Sequence, residues 1–333
     1  MKESIAMPSN IQVNGLSKNF KDITAVDKVS FEVNKSEIFG FLGPNGAGKT
    51  TTISMLCTLL KPSAGTALVG GYDIISDPGN VRREIGIVFQ DTTLDERLTA
   101  RENLTFHGEL YGMPRAEIGE RADALLERVG LTPRAGDPVA VFSGGMRRRL
   151  ELARGLMHRP AVLFLDEPTI GLDPQSRRNL WDYARSLRDS EGVTIFLSTH
   201  YMDEAEACDR IAVIDYGEII ALDTPAAHKS ALGGDVVSVT GPDLEVLSSE
   251  IAQTFDINPR VENEKVEFNI QQGANFIPTL LAKLEQPVDS VSLRNPTLDD
   301  VFVSLTGHQI RDGDISTTEK MRNVQRTGWG RRH

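Results

Sequence analysis

The sequence holds only two cysteines, Cys57 and Cys208, in 333 residues. They are far apart and fit no Cys-x-x-Cys or zinc spacing, so neither a disulfide framework nor a thiolate metal site is expected. Both lie in apolar surroundings and read as buried free thiols, which suits a reducing cytoplasm. No apolar run approaches the ~18–20 residues that span a bilayer, so the chain is not expected to form a membrane pathway itself. The start, MKESIAMPSN, lacks the apolar core of a signal peptide. Positive charge is also scarce: 36 Lys and Arg stand against 47 Asp and Glu, a formal net charge of -11. That balance argues against general binding to a nucleic-acid backbone. Repeats, low-complexity tracts and heptad runs are missing too. What is present, 40% hydrophobic and 25% charged residues, is ordinary globular composition, enough for one large domain and a small one.

One stretch runs against the acidic balance: VFSGGMRRRLELAR, residues 141–154. Ser143, Gly144 and Gly145 read as a helix start with a hydroxyl cap and bare amides. Such a start is a ready anion site. Arg147, Arg148, Arg149 and Arg154 are expected on a solvated or partner-facing helix surface. A nucleic-acid patch is the weaker alternative, because no aromatic residues interleave.

The anion is named by an earlier segment. A continuous apolar strand over 38–42 runs into GPNGAGKT, residues 43–50, and then a helix. This is the G-x-x-x-x-G-K-[ST] loop in its strand–loop–helix setting. The glycines let backbone N–H groups curl into an anion nest, and the helix start adds partial positive charge. Lys49 is placed to reach the β- and γ-phosphates, and the Thr50 hydroxyl to ligate Mg²⁺. A second apolar run, AVLFLDEPT, ends in Asp166 and Glu167. It reads as a buried parallel strand, and ligands bind off the carboxyl ends of such strands. Asp166 is expected to hold Mg²⁺, through water. Glu167, pointing the other way along the strand, is the candidate general base for an attacking water. His200 follows another apolar strand, 193–197, with Ser198 and Thr199 between. The chain thus has one phosphate cradle already. The Ser143 turn is therefore expected to serve a nucleotide bound by another copy, in a homodimer that sandwiches two.

The order and spacing of these elements resemble the ATPase subunit of an ATP-binding-cassette (ABC) transporter, over residues 10–232. GPNGAGKTT, which is Gly43, Pro44, Asn45, Gly46, Ala47, Gly48, Lys49, Thr50 and Thr51, resembles the Walker A loop. VFQ, ending at Gln90, resembles the Q-loop, FSGGM the signature motif, LFLDEP Walker B, GLD at 171–173 the D-loop and STH the switch-histidine loop. Phe20 stands where the family stacks an aromatic on adenine. The resemblance implies that Gln90 senses the γ-phosphate and Mg²⁺, that His200 contacts the γ-phosphate, and that Asp173 pairs across a dimer interface. It also implies that Ser143, Gly144 and Gly145 bind the γ-phosphate in trans. The implied fold is α/β: a P-loop NTPase (RecA-like) core with an antiparallel β subdomain and a helical insert. Two residues depart from the usual pattern: Met146 replaces Gln, and Phe20 replaces Tyr.

Residues 92–156 read as the helical insert, with a capping-box pattern at Thr99–Glu102. Its start, 91–98, is where the family docks a membrane partner. A hairpin is expected at 211–223 around Tyr216 and Gly217, and a domain boundary at Gly233–Gly234. Residues 235–307 read βαββαβ, a ferredoxin-like order, as a dimerisation or assembly domain. NPTLDDVFVSLTG, at 295–307, resembles the C-terminal assembly region of daunorubicin-resistance-type exporter ATPases. Residues 1–9 are expected to be flexible, and 308–333, polar and aperiodic, to be a disordered tail.

The resemblance implies an ATPase at the cytoplasmic face of a membrane. It would drive efflux of a drug-like or lipid substrate through a separate ABC-2 permease, with no role for nucleic acid. A soluble ABC ATPase without a transport role is the alternative. A protein that binds ATP without turnover is a third, opposed by the presence of Glu167 and His200.

Overall fold

The computed structural model describes residues 9–262 and 264–307, in two compact units that divide between Leu222 and Asp223. The expectations for 1–8 and for 308–333 lie outside the described residues.

The first unit runs in the order β1 (Ser9–Phe20), β2 (Ile23–Asn34), β3 (Ile38–Leu42), α1 (Lys49–Leu56), β4 (Ala64–Val69), β5 (Tyr72–Asp73), α2 (Pro78–Glu84), β6 (Ile85–Val88), α3 (Ala100–Leu110), α4 (Arg115–Arg128), α5 (Gly144–Gly155), β7 (Val162–Asp166), α6 (Pro174–Glu191), β8 (Thr194–Thr199), α7 (Met202–Glu206), β9 (Arg210–Asp215) and β10 (Glu218–Asp223). Six strands form one sheet, in the order β10-β9-β3-β8-β7-β6. β9, β3, β8, β7 and β6 are parallel neighbours. β3, β7 and β8 are buried along their whole length, as expected of parallel strands covered on both faces. That is why each reads as an apolar run, with polar residues confined to the ends of β7 and β8. β8 lies between β3 and β7, and the parallel run β3-β8-β7-β6 lines up the loops after four strands on one edge.

β2, β1, β4 and β5 form a separate antiparallel sheet. Both sheets face one core. Phe31 of β2 stacks on Phe39 of β3, with ring centroids 5.6 Å apart, and Phe39 stacks on Phe196 of β8 at the same separation. Such offset pairs add to simple area burial. The turn between β9 and β10 has positive φ at both Tyr216 and Gly217, the backbone of a two-residue hairpin.

α3 begins with the capping box read from the sequence: Thr99 and Glu102 satisfy each other's backbone N–H. α4 buries Ile118, Ala122, Leu125 and Leu126, spaced to form a single apolar stripe.

The second unit contains α8 (Pro225–Ala231), β11 (Asp235–Thr240), α9 (Leu244–Phe255), β12 (Arg260–Glu262), β13 (Lys265–Ile270), α10 (Gly273–Lys283), β14 (Ser290–Arg294) and α11 (Leu298–Thr306). Its sheet is antiparallel, in the order β12-β13-β11-β14. Val237, Val239, Leu247, Ile251, Val266, Phe268 and Leu280 form its core. The division falls about ten residues before the boundary expected at Gly233–Gly234. The reason is α8, which packs on α11 and so belongs to the second unit.

Candidate active site

The loop after β3 is built around glycine. A Cβ on Gly43 would stand 2.2 Å from the carbonyl oxygen of Ile214. One on Gly48, whose φ is +105°, would stand 2.5 Å from that of Ala25. Only glycine fits where the loop is pressed this closely against its neighbours. α1 starts directly behind it, so its free amides face the loop. Lys49 folds back across the loop. Its Nζ donates to the carbonyls of Gly43 (2.8 Å) and Pro44 (3.1 Å) and lies 3.1 Å from Glu167 Oε1. Burial draws the lysine's pKa below its ordinary value, while Glu167 and Asp166 oppose that shift.

Asp166 ends β7. Its Oδ1 accepts from Ser198 Oγ (2.5 Å) and from Thr50 Oγ1 (3.2 Å). Burial raises its pKa, and the two hydroxyls work against the rise. The pairing of a threonine hydroxyl with a carboxylate oxygen suits a hard divalent cation. Among the described residues no group of three or more His, Cys, Asp or Glu is placed to hold a metal. A cation here would take its other ligands from phosphate and water, the usual habit of Mg²⁺.

Glu167 is not carried to its position by strand alternation alone, as the sequence reading assumed. It lies one residue past β7 with φ +47°, a left-handed conformation that costs free energy outside glycine. Its N–H donates to Ser198 O (3.2 Å) and Oγ (3.1 Å). Its carboxylate lies between Lys49 and His200 Nδ1, the latter 3.2 Å from Oε2. Burial pushes its pKa up, but the contact with His200 and the Lys49 charge prevail and leave it below the ordinary value. That direction favours the carboxylate form, the form a general base needs. His200 is the first residue after β8 and packs on Tyr201, ring centroids 4.0 Å apart. Gln90 is solvent-exposed two residues past β6. The loops after β3, β8, β7 and β6 thus deliver Lys49 and Thr50, His200, Asp166 and Glu167, and Gln90 to one edge.

The remaining expected residues, Phe20 apart, lie at two helix starts. Ser143 caps α5, its Oγ accepting from Met146 N (3.3 Å). A Cβ on Gly144 would meet nothing within 4 Å, and one on Gly145 would stand 2.7 Å from Ser176 Oγ. Asp173 caps α6, accepting from the N–H groups of Gln175 and Ser176 (3.0 Å each) and from Ser176 Oγ (2.5 Å). Phe20 is half-buried at the end of β1, with Lys18 Nζ 5.1 Å from its ring centroid.

The arginines do not form the solvated surface expected of them. Arg148 is buried, donating to Pro168 O (2.7 Å), Phe89 O and Glu151 Oε2 (3.0 Å). Arg149 donates to Val129 O (2.8 Å) and Arg154 to Thr93 O (2.7 Å). Arg147 pairs with Glu96 (2.8 Å). Carbonyls at a helix end and in buried loops need donors, and the guanidinium supplies several at once. Sequence reasoning also passed over Ser198 as a positioning group. Its only signal was a hydroxyl next to Thr199 at the end of the apolar stretch 195–197.

A phosphate loop, a paired Asp–Glu and a histidine at one edge of a parallel sheet define a P-loop nucleotide hydrolase. The family model described as ABC transporter matches residues 26–170. The chain is 42% identical over 312 residues to the daunorubicin/doxorubicin resistance ATP-binding protein DrrA of Streptomyces peucetius, covering 91% of this chain and 94% of that one. It is 39% identical over 311 residues to the linearmycin resistance ATP-binding protein LnrL of Bacillus subtilis, covering 91% and 100%. It is 42% identical over 311 residues to the Nod factor export ATP-binding protein I of Ralstonia nicotianae, covering 91% and 95%. Among solved structures, cbiO1 from Clostridium perfringens, part of the ABC transporter complex cbiONQ, aligns with TM-score 0.63 at 27% identity, over 75% of this chain and 96% of that one. The dimeric post-hydrolysis state of the ATP-binding cassette MJ0796 with ADP and Pi aligns with TM-score 0.59 at 26% identity, over 64% and 98%. The chain belongs to the ATP-binding subunits of ABC transporters and is an ATP hydrolase coupled to transport.

Proposed function

We propose that this chain powers an exporter, by closing and reopening a head-to-tail homodimer around two ATP molecules. The observation that carries the reading is Glu167, held between Lys49 and His200 beside the phosphate loop. In this reading residues 43–51 cradle the phosphates and Lys49 reaches the β- and γ-phosphates. Phe20 stacks on adenine. Thr50, Asp166 and Gln90 hold Mg²⁺, which offsets phosphate charge when bound. Glu167 takes a proton from the attacking water, and His200 holds the γ-phosphate side of the site. Ser143, Gly144 and Gly145 of one copy meet the γ-phosphate bound by the other, and Asp173 lies at the seam.

The export direction is supported by the relatives, named for drug resistance or Nod factor export, whose similarity covers 91% of the chain. An alignment of that length takes in the second unit as well as the cassette. We read that unit as a ferredoxin-like assembly domain, because its strand order and βαββαβ sequence fit that arrangement. The cargo is then a drug-like or lipid molecule, crossing through a separate integral-membrane ABC-2 permease with this chain at the cytoplasmic face. Among the described residues no helix is long and apolar enough to cross a membrane. The permease docks near 91–98. Phe106 and Leu110, 55% and 66% exposed and one turn apart on α3, offer apolar surface beside it.

The test is a tagged pull-down from detergent-solubilised native membranes. A multi-span protein recovered in stoichiometric amount is the expected result. Ribosomes, DNA or nothing, from a preparation still hydrolysing ATP, would replace the exporter with the soluble alternative.

A further inference from the structure

Both loops flanking the reacting phosphate in the proposed site are bonded to a single ion pair on α5. Arg148 and Glu151 lie one turn apart on that helix, only 7% and 2% exposed. Arg148 Nη1 contacts Glu151 Oε2 at 3.0 Å. On one side the guanidinium holds the end of β7: Nε donates to Pro168 O (2.7 Å), and Nη2 lies 3.4 Å from both Asp166 O and Glu167 O. On the other side Nη1 donates to Phe89 O, the residue before Gln90. Glu151 Oε1 accepts from Thr93 N (2.9 Å), and Arg154, further along the helix, donates to Thr93 O (2.7 Å). The backbone is thus gripped on each side of Gln90 and across Glu167.

Stability alone does not explain such a pair. Buried ion pairs contribute little against an apolar replacement of the same volume. Satisfying the carbonyls does not explain it either, since water can do that in a polar site. A guanidinium adds something neither supplies: a planar fork with donors at fixed angles, and therefore a fixed spacing between two loops that have no direct covalent tie. We infer that Arg148 is a positioning residue for ATP hydrolysis, holding the Glu167 backbone at a set distance from the Gln90 loop. A displacement of that loop then reaches the base through the guanidinium. The inference rests on the assignment of Glu167 as base.

The test uses the full chain with ATP, comparing Arg148→Lys, Glu151→Gln, Glu167→Gln and the two double variants Arg148→Lys/Glu167→Gln and Glu151→Gln/Glu167→Gln. Lysine keeps the charge and loses the fork. A sub-ångström to 1 Å misplacement of a catalytic group is expected to lower kcat by about 10- to 100-fold. KM, the Kd for ATP and the number of ATP molecules bound per chain stay within about twofold of native, a split in which ground-state binding is spared. Because Arg148 acts through Glu167, the lysine change on the Glu167→Gln background lowers residual turnover no further. Native kcat in Arg148→Lys overturns the inference. So does a parallel loss of kcat, KM and binding stoichiometry, or an additive loss in the double variant. Glu151→Gln, isosteric, carries the same expectations and the same background test if the lysine variant does not fold. If Glu167→Gln itself turns over at the native rate, the base assignment falls and this inference with it. If Glu167→Gln is inactive while Arg148→Lys and Glu151→Gln are native, only the positioning role falls.

Discussion

At the carboxyl edge of the parallel sheet, Lys49, Asp166, Glu167 and Ser198 are buried and bonded to one another. At the starts of α5 and α6, Ser143, Gly144 and Asp173 stand exposed and bond only within their own helix turns. The first group is held by its own hydrogen bonds and ion pairs, the kind of fixed arrangement that favours chemistry at charged groups. The second has amides and hydroxyls still facing open space. In the proposed dimer that difference divides the labour: one copy supplies a finished reaction centre, and the other supplies the clamp.

The comparison is broken most severely at Glu167. Glu167→Gln keeps the shape and removes the base, so kcat is expected to fall by about 10²–10⁴-fold while ATP binding persists and an ATP-dependent dimer accumulates. Native turnover in a steady-state phosphate-release assay would remove Glu167 from the reaction. The opposite half is struck by Ser143→Arg. It is expected to abolish the ATP-dependent dimer, seen by light scattering on the Glu167→Gln background, and to leave the monomer able to bind ATP weakly. Normal dimerisation of that variant would end the in-trans assignment.

Two glycines sharpen the contrast further. Gly48→Ala puts a methyl group 2.5 Å from a backbone oxygen at φ +105°, and should lower stability by about 1–3 kcal/mol as well as ATP binding. Gly144→Ala meets open space. Its thermal stability should stay within about 0.5 kcal/mol of native, while the ATP-dependent dimer weakens. Equal melting temperatures for the two variants would contradict the loop geometry.

The last effect concerns neither half and is absent at neutral pH. Burial lowers the pKa of His107 to about 3, helped by Arg154 and His158. The unfolded chain, with an ordinary histidine pKa near 6.5, then binds the extra proton in between. Stability from the neutral His107 is complete above pH 6.5 and declines as the pH falls toward 3. His107→Leu should flatten the acid side of a melting-temperature profile. An unchanged slope would show that His107 titrates normally.

The phosphate loop was legible because its glycines answer a local demand, tight backbone approach, that other residues cannot meet. β3, β7 and β8 were legible because full burial leaves a short apolar run at the heart of each strand. Ser143 and Asp173 were legible as caps, since a helix start is also a local matter. Arg148 was not. Three consecutive arginines point roughly 100° apart around a helix, and nothing local tells which one turns inward. The carbonyls it serves, at 89 and at 166–168, lie far from it in sequence and meet only in the fold. The boundary at Asp223 was hidden for the same reason: α8 belongs with α11, some seventy residues later. The left-handed backbone at Glu167 likewise depends on Ser198, from another strand.

The two cysteines carry a practical consequence. Cys57 and Cys208 are both buried, and burial pushes both thiols well above their ordinary pKa. Thiol-directed dyes attack accessible thiolates, so the folded chain offers such reagents no native target. A single cysteine introduced at an exposed position outside the proposed site, such as Glu120 on α4, can take a fluorophore or spin label without first stripping the protein of its own. Two differently labelled copies would then report the approach of one subunit to the other in real time.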